Sequence, residues 1–118
     1  MRLACQTCDT VISNELIELK DLSRLNKKDG QDYIPKGFFI IDNQEFYLRL
    51  KGSIMVNIKD LINSKYHSDV SRLNGCCGRD GLDGMNRTCF NNHEIGTEMS
   101  DCWMPHCVAL NPHLVKFI

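Results

Sequence analysis

The residues of this 118-residue chain with the most chemistry to offer are its seven cysteines and four histidines. Cys5-x-x-Cys8 opens the chain and Cys76-Cys77 form a vicinal pair. Cys89-x3-His93 and Cys102-x3-His106 share one spacing, a histidine four positions after a cysteine. Two residues between thiols let a tight turn aim both sulfurs at one ion, at about 2.3 Å each when the ion is zinc. A thioredoxin-like redox use of Cys-x-x-Cys needs a strand before it and a helix after it. Here Val11-Ile12 follows within three residues and no helix start is present, so the pattern favours zinc.

Cys5, Cys8, Cys76, Cys77, Cys89, His93, Cys102 and His106 are thus eight candidate metal ligands, enough for one or two structural zinc ions. Adjacent side chains of an extended chain point to opposite sides. One ion can therefore take both Cys76 and Cys77 only where the chain kinks, and one thiolate per site is the natural use of such a pair. One pairing joins Cys5, Cys8, Cys89 and His93, and gives a second ion one or both of Cys76 and Cys77 with Cys102 and His106. A single four-cysteine site is the alternative.

Other residues have plainer readings. Cys107 sits in the apolar run Cys107-Val-Ala-Leu110 and reads as core filler, since free cysteine is among the most buried residue types. His67 and His113 read as surface or capping residues, and Trp103 and Met104 as core beside the metal. Asp80-Gly-Leu-Asp83-Gly lacks the ligand spacing and terminal Glu of a calcium loop and reads as a turn. Arg72, Arg79 and Arg87 either offset thiolate charge or solvate a loop.

The elements that must position these groups divide the chain into three parts. Residues 1–9 carry the Cys-x-x-Cys, residues 10–75 contain no cysteine, and residues 76–107 hold the other five. In the middle part Gly37–Asp42 and Glu45–Leu50 read as a hairpin turning at Asp42-Asn43-Gln44, because Phe46, Leu48 and Leu50 alternate with Tyr47 and Arg49. Ile54–Val56 reads as a third strand, and Asn57 as the cap of a short helix over Ile58–Asn63. Val11–Leu19 reads as a strand pair around Ser13-Asn14, with the apolar run Leu16, Ile17, Leu19, Leu22, Leu25 partly helical as the alternative. Cys107–Leu110 and His113–Ile118 read as a final strand. Gly75, Gly78, Gly81 and Gly84 recur every third residue in a segment too poor in apolar residues to hold itself by packing. Glycine there lets the backbone turn tightly around something. The expected fold is therefore α+β and mainly β, a single domain over residues 1–118. A small antiparallel sheet with hairpins would carry a Gly-rich, zinc-stapled loop region.

Charge excludes little but weighs on partners. The 14 basic residues against 15 acidic ones are evenly spread, ten and nine in residues 1–65 and four and six in residues 66–118. No basic stripe of the kind that tracks a phosphate backbone is present. Met1-Arg-Leu-Ala-Cys5 has no apolar signal-peptide core, and runs such as Phe38-Phe-Ile-Ile41 are far too short to span a bilayer. The expected location is cytoplasmic, where clustered thiols stay reduced and serve metals more often than disulfides.

The run Arg72-Leu-Asn-Gly-Cys-Cys-Gly-Arg-Asp-Gly-Leu-Asp-Gly-Met-Asn86, with Cys89 and then Glu94-Ile-Gly-Thr-Glu-Met-Ser-Asp-Cys-Trp103, resembles a family of small bacterial cysteine-rich proteins. Its members open with Cys-x-x-Cys and carry a Gly-Cys-Cys-Gly core and an Asp-Cys-Trp ending. The resemblance covers most of the chain and implies metal-ligand roles for Cys5, Cys8, Cys76, Cys77, Cys89 and Cys102. The family brings no established activity. Some members carry Cys-x-Cys where this chain has Cys89-Phe-Asn-Asn-His93, so His93 either replaces the missing thiol or is no ligand.

Three functions follow as expectations. The first is a non-enzymatic zinc-stabilised module that binds another protein, as adaptors and immunity proteins do. The second is a small zinc-dependent hydrolase or deaminase, with Glu94, Glu98 or Asp101 as proton carrier. Its usual signatures, His-Glu-x-x-His and His-x-Glu with Pro-Cys-x-x-Cys, are missing. The third, disfavoured by charge, is a nucleic-acid-binding zinc ribbon.

Overall fold

The structure is a computed structural model that describes residues 1–43 and 50–118. In these residues the chain forms nine short strands: β1 (Leu3–Cys5), β2 (Ile17–Glu18), β3 (Phe38–Ile41), β4 (Ile54–Val56), β5 (Ser64–Tyr66), β6 (Arg87–Cys89), β7 (Glu94–Met99), β8 (Cys107–Leu110) and β9 (Val115–Phe117). β1 and β9 make an antiparallel ribbon with Leu3 opposite Phe117 and Cys5 opposite Val115. The other seven form one sheet in the order β2-β3-β4-β8-β7-β6-β5. It is antiparallel throughout except where β2 runs parallel to β3.

The period of two along the central strands sorts their side chains into two cores. Phe39, Ile54, Val56, Val108 and Leu110 face one side, where Leu3, Cys5, Ile12, Cys89, Ile95 and Val115 join them. Ile40, Met55, Cys107 and Ala109 face the other, with Leu19, Tyr33, Ile34, Met99 and Met104. β4 and β8 are buried along their whole length, which explains why both read as unbroken apolar runs rather than alternating ones. The β1–β9 ribbon covers the first face, and its Leu3, Cys5 and Val115 belong to that core. Glu98, in β7, is buried as well, accepting hydrogen bonds from Tyr66 Oη (2.9 Å) and Ser100 Oγ (2.8 Å). Arg79 and Arg87 lie over the Tyr66 ring, each 4.6 Å from its centroid.

The fold is mainly β, and the helical component of the α+β expectation shrinks to turns. Among the described residues there is no α-helix, and 3₁₀ turns form at Leu22–Arg24, Ile58–Asp60 and Val70–Arg72. Asn57 does cap the second of these, its side chain accepting from Lys59 N at 2.8 Å. The helix expected over Ile58–Asn63 stops after one turn, because Leu61 is extended (ψ 127°) and Asn63 is left-handed (φ 51°).

β3 forms where the first hairpin strand was expected, and its antiparallel partner is β4. The expected second strand, Glu45–Leu50, lies outside the described residues except for Leu50. The strand pair expected over Val11–Leu19 is replaced by single bridges, Val11 to Ala4 and Ser13 to Leu61, and by the short β2. The C-terminal segment supplies two strands in different sheets, β8 and β9. Among the described residues no helix is long and apolar enough to cross a membrane.

Candidate metal centres

Two tight turns face each other at one edge of the first core. The first follows β1. Asp9 N donates to Cys5 O (2.9 Å), Cys5 N donates to Thr10 O (2.8 Å), and Asp9 takes a left-handed φ of 61°. The second joins β6 to β7. Cys89 N donates to His93 O (2.9 Å), Asn92 N donates to Cys89 O (3.1 Å), and Asn92 has φ 67°. Asp and Asn are the non-glycine residues that tolerate this conformation best. Each turn aims two side chains inward.

The result is a compact set of four donors. Cys8 Sγ lies 3.8 Å from Cys89 Sγ, Cys5 Sγ 3.7 Å from His93 Nδ1, and Cys89 Sγ 3.4 Å from His93 Nδ1. All four donor atoms fall within 4.8 Å of one another. A tetrahedral ion bound at about 2.3 Å by sulfur and about 2.05 Å by nitrogen needs edges of about 3.8 Å between sulfurs and about 3.6 Å from sulfur to nitrogen. The observed separations match those edges, so the group can hold a metal ion. Burial pushes the Cys5 thiol up, while Cys8 is pulled down to about 5, first by the Thr10 hydroxyl 3.1 Å away and then by the Asn91 amide, which donates to its sulfur. Thr10 and Asn91 were not legible as site residues. Their signal, a polar residue two positions beyond each turn's first cysteine pair or cysteine, is too common to single out.

The second group is Cys76, Cys77 and Cys102, whose sulfurs also fall within 4.8 Å of one another. Cys77 Sγ is 3.0 Å from Cys102 Sγ and 3.9 Å from Cys76 Sγ. All three residues are exposed, unlike buried Cys5 and Cys89. The chain bends at Cys76–Gly78, and that bend brings adjacent thiols to one side.

Asp101 makes the bend. Fully buried, its carboxylate accepts four hydrogen bonds: from Cys76 N (2.7 Å) and Trp103 Nε1 (3.0 Å) on Oδ2, and from Cys77 N and Cys102 N (both 2.8 Å) on Oδ1. The backbone N–H groups of Cys77 and Cys76 hold its carboxyl well below the usual carboxylate range. In the sequence alone Asp101 reads only as a proton carrier. The loop is also tight: a Cβ on Gly75 would stand 1.7 Å from Gly78 O, and one on Gly78 would stand 2.2 Å from Ser100 O. Gly81 and Gly84 instead supply positive φ. The close Cys77 sulfur pushes Cys102 up to about 12 and raises Cys76 too. Three thiolates this close repel one another unless a cation lies between them.

His106 is not in this group. Its Nε2 donates to Asp101 O at 2.9 Å, and its backbone is strapped to residues 31–33 through His106 N to Gln31 O and Tyr33 N to His106 O. Cys107 is buried in the second core. Met104 is buried there too, but Trp103, expected in the core, is 49% exposed. His67 Nε2 lies 3.1 Å from Glu94 Oε2, and Arg72 donates to Met85 O and Glu94. Asp80 and Asp83 accept from Leu82 N and Asn74 Nδ2, a turn-forming use. All seven cysteines are free thiols. Set against protein-family models, curated proteins and solved structures, the chain has no match.

Proposed function

We propose that this chain is a zinc-stapled, non-enzymatic module that binds another protein. The observation that carries the zinc reading is the closed quartet of Cys5, Cys8, Cys89 and His93, whose separations fit the tetrahedron that zinc favours. Three thiols and one imidazole are a common structural zinc set. With four protein donors the ion has no position left for substrate, which supports architecture over catalysis. It would join the β1–β9 ribbon to the β6–β7 turn.

Two exposed aromatic side chains support a protein partner. Phe90, inside the second turn, is 57% exposed, and Trp103, next to Cys102, is 49% exposed. Aromatic residues are enriched in protein interfaces and dominate their energetics. The balanced charge favours a protein over nucleic acid. Metal quantification on the native protein tests the zinc reading, with at least one zinc per chain expected. Capture of a partner by the wild type, lost in a Phe90→Ala/Trp103→Ala variant of unchanged zinc content, tests the binding role.

One observation favours the second reading, a zinc enzyme: the Cys76–Cys77–Cys102 group offers only three protein donors. The carboxylates expected as proton carriers are engaged, however, save Glu98 Oε1, which has no hydrogen bond and faces Arg87 at 3.6 Å. Glu94 is bonded to Arg72, Glu98 to Tyr66 and Ser100, and Asp101 to four N–H groups. Hydrolysis needs one of them as proton carrier. Turnover of an ester or amide substrate by the zinc-loaded protein, lost in Cys102→Ser, would favour this reading.

A further inference from the structure

We propose that Cys76, Cys77 and Cys102 hold a second metal ion through three thiolates and leave its fourth position to a small-molecule thiol, an inference that rests on the metal reading above. The two cysteine groups differ in the way that structural and exchangeable sites differ. The first has four donors from two facing turns, with Cys5 and Cys89 fully buried. The second has three donors, all on exposed residues. The nearest carboxylate is saturated by four N–H groups, and the nearest histidine is turned to a backbone carbonyl. Tetrahedral coordination then lacks one ligand from the protein.

The backbone of the second site is also built ahead of any ion, which would only have to open the Cys77–Cys102 sulfur pair from 3.0 Å toward the tetrahedral edge of about 3.8 Å. Asp101 fixes the backbone of all three cysteines, and Ser100 Oγ accepts from Arg79 N at 3.1 Å on the other side of the bend. Gly75 and Gly78 pack so closely that no other residue fits. An ion that served only to fold this loop would have little left to organise.

The chemistry of the vacant position follows from the donor set. A divalent ion with three thiolates carries a net charge of −1, which makes it a weak acid toward water and a soft centre that prefers sulfur. The half-exposed Trp103 indole donates to the same Asp101 oxygen as Cys76 N, which sets an apolar ring beside the group.

Cobalt(II) titration of the full chain tests this, because thiolate-to-cobalt absorption counts sulfur ligands. Two ions per chain are expected. Adding 2-mercaptoethanol should raise the absorption of the second ion by about one third, as three thiolates become four, and leave the first unchanged. 2-Methoxyethanol, of similar shape without the thiol, should change neither. Cys102→Ser should abolish the response while keeping the first ion. A second ion whose spectrum ignores the thiol overturns the inference and leaves the zinc reading standing, and a response that appears only in His106→Ala would identify His106 as the ligand that closes the site. One bound ion, at the first site only, overturns it as well. Binding of neither ion would sink the zinc reading itself.

Discussion

Cys8 and Cys89, 81 positions apart in the sequence, bring their Sγ atoms to 3.8 Å from each other. One sulfur comes from the turn after β1 and the other from the last residue of β6, strands of different sheets. Leu3, Cys5 and Val115 of the ribbon already share the first core with Cys89 of the sheet, and an ion between the sulfurs would tie the same junction through metal–ligand bonds.

Metal removal is therefore expected to unfold the protein. Structural zinc contributes about 10–16 kcal/mol in small zinc domains, and a whole domain of this size is stable by about 5–15 kcal/mol. Losing the first term should exhaust the second. Circular dichroism and thermal melting with and without a strong chelator check this, and a chelated protein with an unchanged melting midpoint would refute it. Cys5→Ser and Cys89→Ser should reproduce the chelated state.

Cys107→Ser is the contrasting case. Cys107 is as buried as Cys5 but belongs to neither cysteine group. The hydroxyl would enter an apolar core, at a cost of about 1–3 kcal/mol, or roughly 4 °C in melting midpoint per kcal/mol. Metal content should not change. A fall in bound metal would mean that Cys107 is a ligand after all.

These two cysteines also show what could be read from the sequence. Cys107 was legible because it sits inside a run of apolar residues, and that run is the central strand β8. The first quartet was legible because its four members come as two short-spaced pairs, each pair made by one turn. His106 had the same cysteine-to-histidine spacing as His93, but its ring turns to the Asp101 carbonyl. Local spacing fixes which residues can reach one point, and tertiary contacts decide which of them do. Here the strap from residues 31–33 holds His106. The role of Asp101 was hidden for the same reason, since three of its four partners come from backbone N–H groups, which leave no mark in sequence.

Tyr66 gives a pH dependence away from the cysteines. Burial, then the neighbouring Glu98 carboxylate, raises its phenol above the usual value. A raised acid favours the neutral form in the folded state. Its contribution to stability is complete below the phenol's ordinary value near 10 and is lost as pH rises through the higher folded value. Absorbance titration should show a phenol ionising later than a free tyrosine that Tyr66→Phe removes. The variant keeps the ring under Arg79 and Arg87 but loses the bond to Glu98, at a cost of about 1 kcal/mol.

Asp101→Asn should loosen the second cysteine group and leave the first alone. The carboxylate spreads four N–H bonds over two oxygens. An amide has one oxygen and presents its NH₂ to the other two donors. Supporting groups of this kind are worth about 10–100-fold in metal affinity. Competition with a chromophoric chelator should show that loss at one of two sites. An equal loss at both would assign Asp101 to the whole fold instead.

Gly75→Ala and Gly52→Ala separate two reasons for glycine. Gly52 has φ 83° with nothing within 4 Å of its missing Cβ. Alanine there meets only the left-handed penalty of about 1–2 kcal/mol. Gly75 has no positive φ, but its Cβ would stand 1.7 Å from Gly78 O and 3.0 Å from Asp101 Oδ2. No side chain can yield, because the nearer atom is backbone, so the bend carrying Cys76 and Cys77 must open. Gly75→Ala is expected to release the metal of the exposed group while the protein still melts cooperatively through its first site. Gly52→Ala is expected to lower the melting midpoint and release nothing. Metal counting on the folded variants decides the matter: retention of both ions in Gly75→Ala would show that the bend does not hold the second site.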